Sequence, residues 1–462
     1  MGKVKQNEGK DIKMKMATEP MVPLVISVSL PLVISLLVQA LYNLVDSFFV
    51  ARISENALTA TSLASPIQLL MVAVSVGTGV GINSLLSRSL GAGEKEKVNL
   101  TATTGLLLAI ISSVVFMCFG LFFSRYFLCA YTNDVDLLNQ SYSYLSICTV
   151  FCSGIFVAAA AERMLQATGK SIYSMCAQVS GAVLNCVLDP ILIFGYFGFP
   201  AMGVKGAAIA TVTGQWVAAI LAMILNLRLN REIRFDFKNF KFKKEIVKGI
   251  YKVGAPAMLT NGIISIQTIC INKLLIDYSA TAVAFFGLYH KIQTFVMMPN
   301  NGFAQGQIPI AGFSYGAKRG DRLMEVFYVT IKICFVVMLA GTLLFEFLPE
   351  QILLLFSASD EMLEIGVSAL RILASTFILV SAVTVIGQLL TAIGNGMVNM
   401  VCTIVRGMLP LLLLLVIVKT ADIGYIWYAF PFADLVAFVL ALILFRQSYK
   451  KEIYPLMEKG KR

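Results

Sequence analysis

Asn185 and Asp189 stand four residues apart in Leu184-Asn-Cys-Val-Leu-Asp-Pro190, so on a helix they lie one above the other on a single face. Pro190 has no N–H, and the carbonyl of Cys186 therefore loses its helical partner one turn back. A carboxyl, a carboxamide and a freed carbonyl thus gather at one level of an apolar run that begins near Ile172 and ends at Gly195. An ionisable group in hydrocarbon costs roughly 2.5–3.5 kcal/mol on insertion scales, so chains rarely keep one without a use. The plain alternative is a neutral aspartic acid bonded to a neighbouring helix as structural glue. A second acid at matching depth argues against it: Asp46, in Gln39-Ala-Leu-Tyr-Asn-Leu-Val-Asp-Ser47. Asn43 three residues before Asp46, and Gln39 seven before it, are expected to share its face, with Tyr42 between them. Two carboxyls sharing a site disfavour joint ionisation, so the pair is the minimal equipment for one exchangeable proton or sodium ion. The bland reading of Asp46 is an interfacial residue balanced by Arg52.

The elements that carry these residues must cross a membrane. Of the 462 residues, 58% are hydrophobic and only 14% charged, which marks an all-α polytopic membrane protein. Apolar windows of about 20 residues recur roughly twelve times. Two are longer than a bilayer requires, with Pro31 and Pro299 as expected bend points beside Pro190. Lys and Arg concentrate on alternate loops: the N-terminal tail, the turns around Arg88 and Lys170, the stretch Arg228 to Lys252, the turn around Lys318, and the C-terminal tail. This bias puts both termini in the cytoplasm. It accounts for the net charge of +11 through anionic lipid, without a nucleic-acid partner.

The basic stretch also divides the chain into repeats. Pro31 matches Pro256, Gly77 matches Gly302, Gly81 matches Gly306, Ser89-Leu-Gly-Ala92 matches Ser314-Tyr-Gly-Ala317, and Leu165-Gln-Ala-Thr-Gly169 matches Leu390-Thr-Ala-Ile-Gly394. The offset is 225 throughout (256 − 31, 316 − 91, 394 − 169). The expected organisation is a cytoplasmic tail over 1–20, a six-helix lobe over 21–228, a basic linker over 229–250, a second six-helix lobe over 251–446 and a tail over 447–462. An even number of spans per repeat makes the lobes parallel, related by a pseudo-two-fold axis along the membrane normal, with a cavity expected between them.

Other candidates are weaker. His290 and Lys291 fall within the eighth span and Arg371 within the tenth; they either hold an anionic group in a cavity or pair with neighbouring helices. Gly77-Thr-Gly-Val-Gly81 has no strand before it and reads as close helix packing rather than a nucleotide loop. The cysteines show no metal-ligand spacing and the single histidine excludes histidine-based triads, so neither an enzyme nor a resident metal or cofactor is expected. No ATPase signature is present, so energy must come from an ion gradient or a partner.

With these residues in hand, the chain resembles the multidrug and toxic compound extrusion (MATE) transporters of the wider flippase superfamily, over about Met21 to Arg446. The segments that carry the likeness are Gln39 to Asp46, Leu165 to Gly169 and Leu184 to Pro190, the last close to the DinF-like and MepA-like branch. The resemblance implies twelve helices in two lobes that rock between outward- and inward-open states. It also implies export of organic compounds against inward cation flow across the cytoplasmic membrane, by a monomer. It assigns cation coupling to Asp46 and Asp189 and a fifth-helix asparagine to Asn185; Asn43 joins them by its place on the Asp46 face, and Gln39, Tyr42 and Gln215 are expected to line the cavity. A sixth-helix threonine carries onto Thr211 or Thr213. Two departures stand out: Ala158 to Ala161 replaces a polar fourth-helix position, and the second lobe lacks the acids of the NorM-like branch. Coupling through the first lobe is expected, protons ahead of sodium. The rival readings are a lipid-linked precursor flippase, for which His290, Lys291, Arg371 and Arg406 are the available cations, and a passive channel or non-transporting scaffold.

Overall fold

The computed structural model describes residues 16–237, 242–276, 280–356, 358–420 and 423–460. Among them the regular structure is helical: α1 (Met21–Ala51), α2 (Glu55–Gly91), α3 (Lys95–Phe122), α4 (Ser124–Cys129), α5 (Val135–Val150), α6 (Ser153–Ala167), α7 (Ser171–Phe194), α8 (Val204–Leu229), α9 (Lys244–Ile276), α10 (Ala280–Gly316), α11 (Gly320–Phe347), α12 (Pro349–Leu355), α13 (Asp360–Ala374), α14 (Phe377–Ala392), α15 (Gly396–Thr420), α16 (Ala429–Ser448) and α17 (Tyr454–Gly460). Eight described helices are long and apolar enough to cross a membrane, and the pairs α5–α6 and α13–α14 each make one further, bent span. With the long helices α9 and α10, these make up the expected twelve. In α3, α11 and α15 only 33%, 28% and 28% of the most apolar window is buried. The remaining apolar surface suits lipid, as the sequence composition requires.

The chain forms two compact units. The first runs from Ile34 to Met258, and the second joins Met16–Val33 to Leu259–Arg462. The opening third of α1 therefore belongs with the second repeat, and the opening of α9 with the first. The glycines of the repeat explain this membership. In the first unit, a Cβ on Gly77 or Gly81 of α2 would collide with Met258 or with the carbonyl of Ile250, both on α9. In the second, a Cβ on Gly302 or Gly306 of α10 would collide with Val33 or Ser29, both on α1. Met258 and Val33 are themselves 225 residues apart, so the repeat extends to the contacts as well as to the residues. The linker is also shorter than expected, because α9 begins at Lys244. It is tied to α3 in the first unit near both of its ends, where Arg234 N–H donates to Asn99 Oδ1 at 2.8 Å and Lys243 pairs with Glu96 at 3.1 Å.

Two sharp breaks divide spans at positions without a proline. Helices α1, α7 and α10 run through Pro31, Pro190 and Pro299. The breaks, of 43° each, lie between α5 and α6 and between α13 and α14. A break frees carbonyls that hydrocarbon cannot satisfy, and side chains take their place. In the first unit Trp216 Nε1 donates to Phe151 O at 3.1 Å.

Candidate functional site

The first unit holds the site. Helices α7 and α8 pack at backbone distance because Gly181 and Gly214 face each other: a Cβ on Gly181 would lie 2.5 Å from the Gly214 carbonyl. That approach carries Asn185 and Asp189, one and two turns beyond Gly181, against Thr211 of α8. Asp189 is 0% exposed and Asn185 2%. In the orientation that matches donors to acceptors, the Asn185 carboxamide donates to Asp189 Oδ2 at 3.3 Å and accepts from the Thr211 backbone N–H at 3.0 Å. The amide thus couples the acid to the next helix.

Asp46, on α1, lies within electrostatic reach of Asp189. It is half-buried, and its Oδ1 is shut away from solvent without a hydrogen-bond partner; the same holds for Asp189 Oδ1. Arg52 does not balance Asp46, because its guanidinium sits over the Phe48 ring, 4.4 Å from the centroid. An interfacial ion pair is therefore not what the residue makes. Tyr42 is half-buried and feels the charge of both acids. Asn43, expected beside them, is exposed instead. At 3.6 residues per turn a residue four before Asp46 lies about 40° from it around the helix, and one three before lies about 60° away on the other side. Tyr42 takes the inward place. Gln39, seven residues before Asp46, keeps close to its stripe and is half-buried.

Of the two candidate threonines, Thr211 meets Asn185. Thr213 spends its hydroxyl on its own helix, donating to Ile209 O at 2.7 Å, and Gln215 is half-buried. The structure adds residues that the sequence reading passed over. Tyr144 and Cys148 of α5, both buried, are within electrostatic reach of Asp46. Gln68 of α2 joins them, its Nε2 3.3 Å from Tyr144 Oη and 3.7 Å from Cys148 Sγ. No spacing in the sequence links Gln68 to Asp46; only the packing of α2 on α5 does. Glu162 and Arg163, half-buried neighbours on α6, were also overlooked because they end an apolar window. Arg163 Nη1 donates to Gln166 Oε1 at 3.1 Å.

The second unit is built differently at the same register. Adding the offset of 225 to Asp46 and Asp189 gives Ile271 and Leu414, both 0% exposed within one apolar cluster. Its expected cations His290, Lys291 and Arg371 each sit in a different local setting. Lys291 is exposed, His290 packs its ring edge-on against Phe286 at 4.7 Å, and exposed Arg371 donates Nε to Glu346 O at 3.1 Å, capping the end of α11.

Chemically, the first unit offers here two carboxyl groups, a carboxamide and hydroxyls, and among the described residues no ion pair is made to either acid. Such an oxygen-rich set suits a proton or a hard monovalent cation better than a soft metal. Among the described residues no group of three or more His, Cys, Asp or Glu side chains is placed to hold a metal ion.

Known proteins agree with this architecture. The chain is 26% identical over 430 residues to the "Probable multidrug resistance protein YoeA" of Bacillus subtilis, covering 91% of this chain and 93% of that one. It is 24% identical over 421 residues to the "Multidrug export protein MepA" of Staphylococcus haemolyticus, covering 90% and 92%. A crystal structure of MATE in complex with MaL6 superimposes with a TM-score of 0.88 at 25% identity, over 96% of this chain and 99% of that one. The MatE family model matches twice, at residues 31–191 and 256–416, two segments separated by the same offset of 225 that the repeat carries. The chain is thus a multi-pass membrane transporter belonging to the MatE family.

Proposed function

We propose that the protein is a secondary antiporter that exports organic, chiefly cationic, compounds across the cytoplasmic membrane in exchange for protons, with Na⁺ as the alternative coupling ion. The observation that carries this reading is that Asp46 and Asp189 lie within electrostatic reach of one another, each with a buried carboxyl oxygen that no described residue satisfies. An unsatisfied buried acceptor costs about 1–3 kcal/mol, so the pair favours states in which an ion or a substrate donor meets those oxygens. A lipophilic cation suits carboxylates with Tyr42 and Tyr144 beside them. The names of the relatives, multidrug export and multidrug resistance, support the same substrate class.

Exchange then follows from competition. A proton or Na⁺ entering from outside occupies the acids and displaces the substrate outward. Loss of that ion to the cytoplasm restores the negative charge that draws the next substrate. A ligand shifts a conformational equilibrium only by its differential affinity for the two states, so ion and substrate must share these carboxyls for exchange to be tight. The scattered second-unit cations lend the precursor-flippase reading little support. Coupling is tested in proteoliposomes loaded with a fluorescent organic cation. An imposed inward proton gradient accelerates its export, and collapsing that gradient stops the acceleration. Export that follows neither a proton nor a sodium gradient contradicts antiport.

A further inference from the structure

Between α8 and α9 the linker is held against α3 at three heights. Lys243 pairs with Glu96 in the first turn of α3, and Arg234 N–H meets Asn99 about one turn further on. Another turn along, Asp236 N–H donates to Thr103 Oγ1 at 3.4 Å. At 1.5 Å per residue, Thr103 lies about 12 Å along the helix axis from Lys95. The charged start of α3, Lys95 to Lys97, is exposed. The headgroup layer on each side of a bilayer is only roughly 5–8 Å thick. A stretch of linker held at Thr103 therefore descends through the headgroups to the edge of the hydrocarbon.

The residues of that stretch suit the place. Ile233, Phe235 and Phe237 alternate with Arg234 and Asp236, and exposure grows along the apolar set: Ile233 is buried, Phe235 half-buried and Phe237 56% exposed. The rings of Phe235 and Phe237 stack, 6.2 Å between centroids. Phe242 is 50% exposed. Cations stand around these rings. Arg231, Arg234, Lys244 and Lys248 are exposed, and among the described residues none of the four makes an ion pair. The exposed acids of the stretch are Asp236 and Glu245, so positive charge is in excess. A bias of Lys and Arg toward the cytoplasm accounts for the cations but not for the rings. A loop that only had to stay in water gains nothing from Phe237 and Phe242 on its exposed side, whereas Phe beside Lys and Arg is the pairing that settles at the boundary between headgroups and acyl chains.

We propose that this part of the linker is a docking surface for anionic phospholipid of the cytoplasmic leaflet. Phe237 and Phe242 enter the boundary between headgroups and acyl chains, and Arg231, Arg234, Lys244 and Lys248 hold lipid phosphates beside them. The site is independent of the coupling ion and of the exported compound. Because the linker joins the end of α8 to the opening of α9, both in the first unit, lipid held here fixes the depth of both helix ends.

Full-length protein carrying Phe237→Trp, reconstituted in vesicles, tests this by fluorescence, with the emission of the unmodified protein, from Trp216 and Trp427, subtracted. The vesicles hold phosphatidylcholine and phosphatidylglycerol in equal parts, one or the other brominated near the headgroup end of its acyl chains. The added tryptophan is expected to be quenched by both brominated lipids, about twofold more by the phosphatidylglycerol, and little by iodide present on both sides of the membrane. In the same background, Arg231→Gln, Arg234→Gln, Lys244→Gln and Lys248→Gln together remove the preference for phosphatidylglycerol. Lys450→Gln with Lys451→Gln, in the C-terminal tail, keeps it. Should the quadruple variant fail to fold, high salt removes the preference in the Phe237→Trp protein, because it screens exposed charge. Strong quenching by iodide with none by brominated lipid overturns the seating of the ring. Equal quenching by the two lipids at low salt overturns the headgroup site, as does a preference that survives the quadruple variant.

Discussion

At the scale of single residues, the coupling site makes sharply different demands on neighbours that look alike in sequence. Thr211 and Thr213 both sit in the first turns of α8, yet only Thr211 meets Asn185. Thr211→Pro would break α8, so the amide itself is the better probe. Asn185→Leu strips Asp189 Oδ2 of its donor, and a hydrogen bond to a charged group contributes about 1.5–3 kcal/mol. Gradient-driven export by this variant is expected to fall roughly ten- to a hundredfold, whereas Thr213→Val stays within about twofold of wild type. Equal losses from both substitutions would show that the helix surface, not the contact with Asp189, sets the rate. Much at this scale was legible beforehand, because Asn185 and Asp189 lie on one face and Pro190 frees a carbonyl in a way any helix obeys. Asn43 is exposed and Tyr42 half-buried, a difference the sequence does not show because a spacing of three and one of four both count as the same face until packing chooses. Gln68 and Tyr144 carried no signal, since the helices that bring them to Asp46 are distant in sequence.

At the scale of elements, glycine does the positioning. Gly181 and Gly214 let α7 and α8 approach until backbone meets backbone, and a Cβ on Gly214 would lie 2.6 Å from the Gly181 carbonyl and 3.2 Å from Asn185 Cβ. Gly214→Val therefore overpacks the seam and moves the amide that orients Asp189. Overpacking of this kind costs typically 1–3 kcal/mol. The variant is expected to lower the thermal midpoint of the detergent-solubilised protein by several degrees and to impair export together with it. A substitution that leaves both untouched would mean that the seam is looser than drawn. The bends teach the opposite lesson. The two 43° breaks come at Phe151–Cys152 and Ser375–Thr376, where no proline stands to announce them in the sequence. Their partners, Trp216 for the freed carbonyl of Phe151 and Asp434 for Thr376, come from other helices and so left no local trace.

At the scale of the whole molecule, one ancestral pattern carries two chemistries. The offset of 225 was readable from prolines and glycines alone, and the family match over 31–191 and 256–416 repeats it. What the offset did not reveal is the exchange of opening segments, with Met16–Val33 placed in the second unit and residues up to Met258 in the first. The acids are not symmetric either, since their equivalents Ile271 and Leu414 are buried in an apolar cluster with Phe285, Phe345 and Phe377. Leu414→Asp should therefore not create a second coupling site. It buries an unpaired acid, and the expected result is a marked drop in folded, monodisperse protein on size exclusion. Full recovery of a well-folded, ion-responsive variant would contradict the assignment of the two chemistries to separate units. The central claim, that Asp46 and Asp189 hold an ion that substrate displaces, is tested most directly by proton release. Purified protein in weakly buffered detergent solution is mixed with a saturating organic cation while a pH dye is followed. The account predicts protons released in step with substrate binding by the wild type, and none from the Asp46→Asn, Asp189→Asn double variant. Equal release from both proteins would contradict it, as would substrate binding by the wild type with no release of protons and no displacement of bound Na⁺.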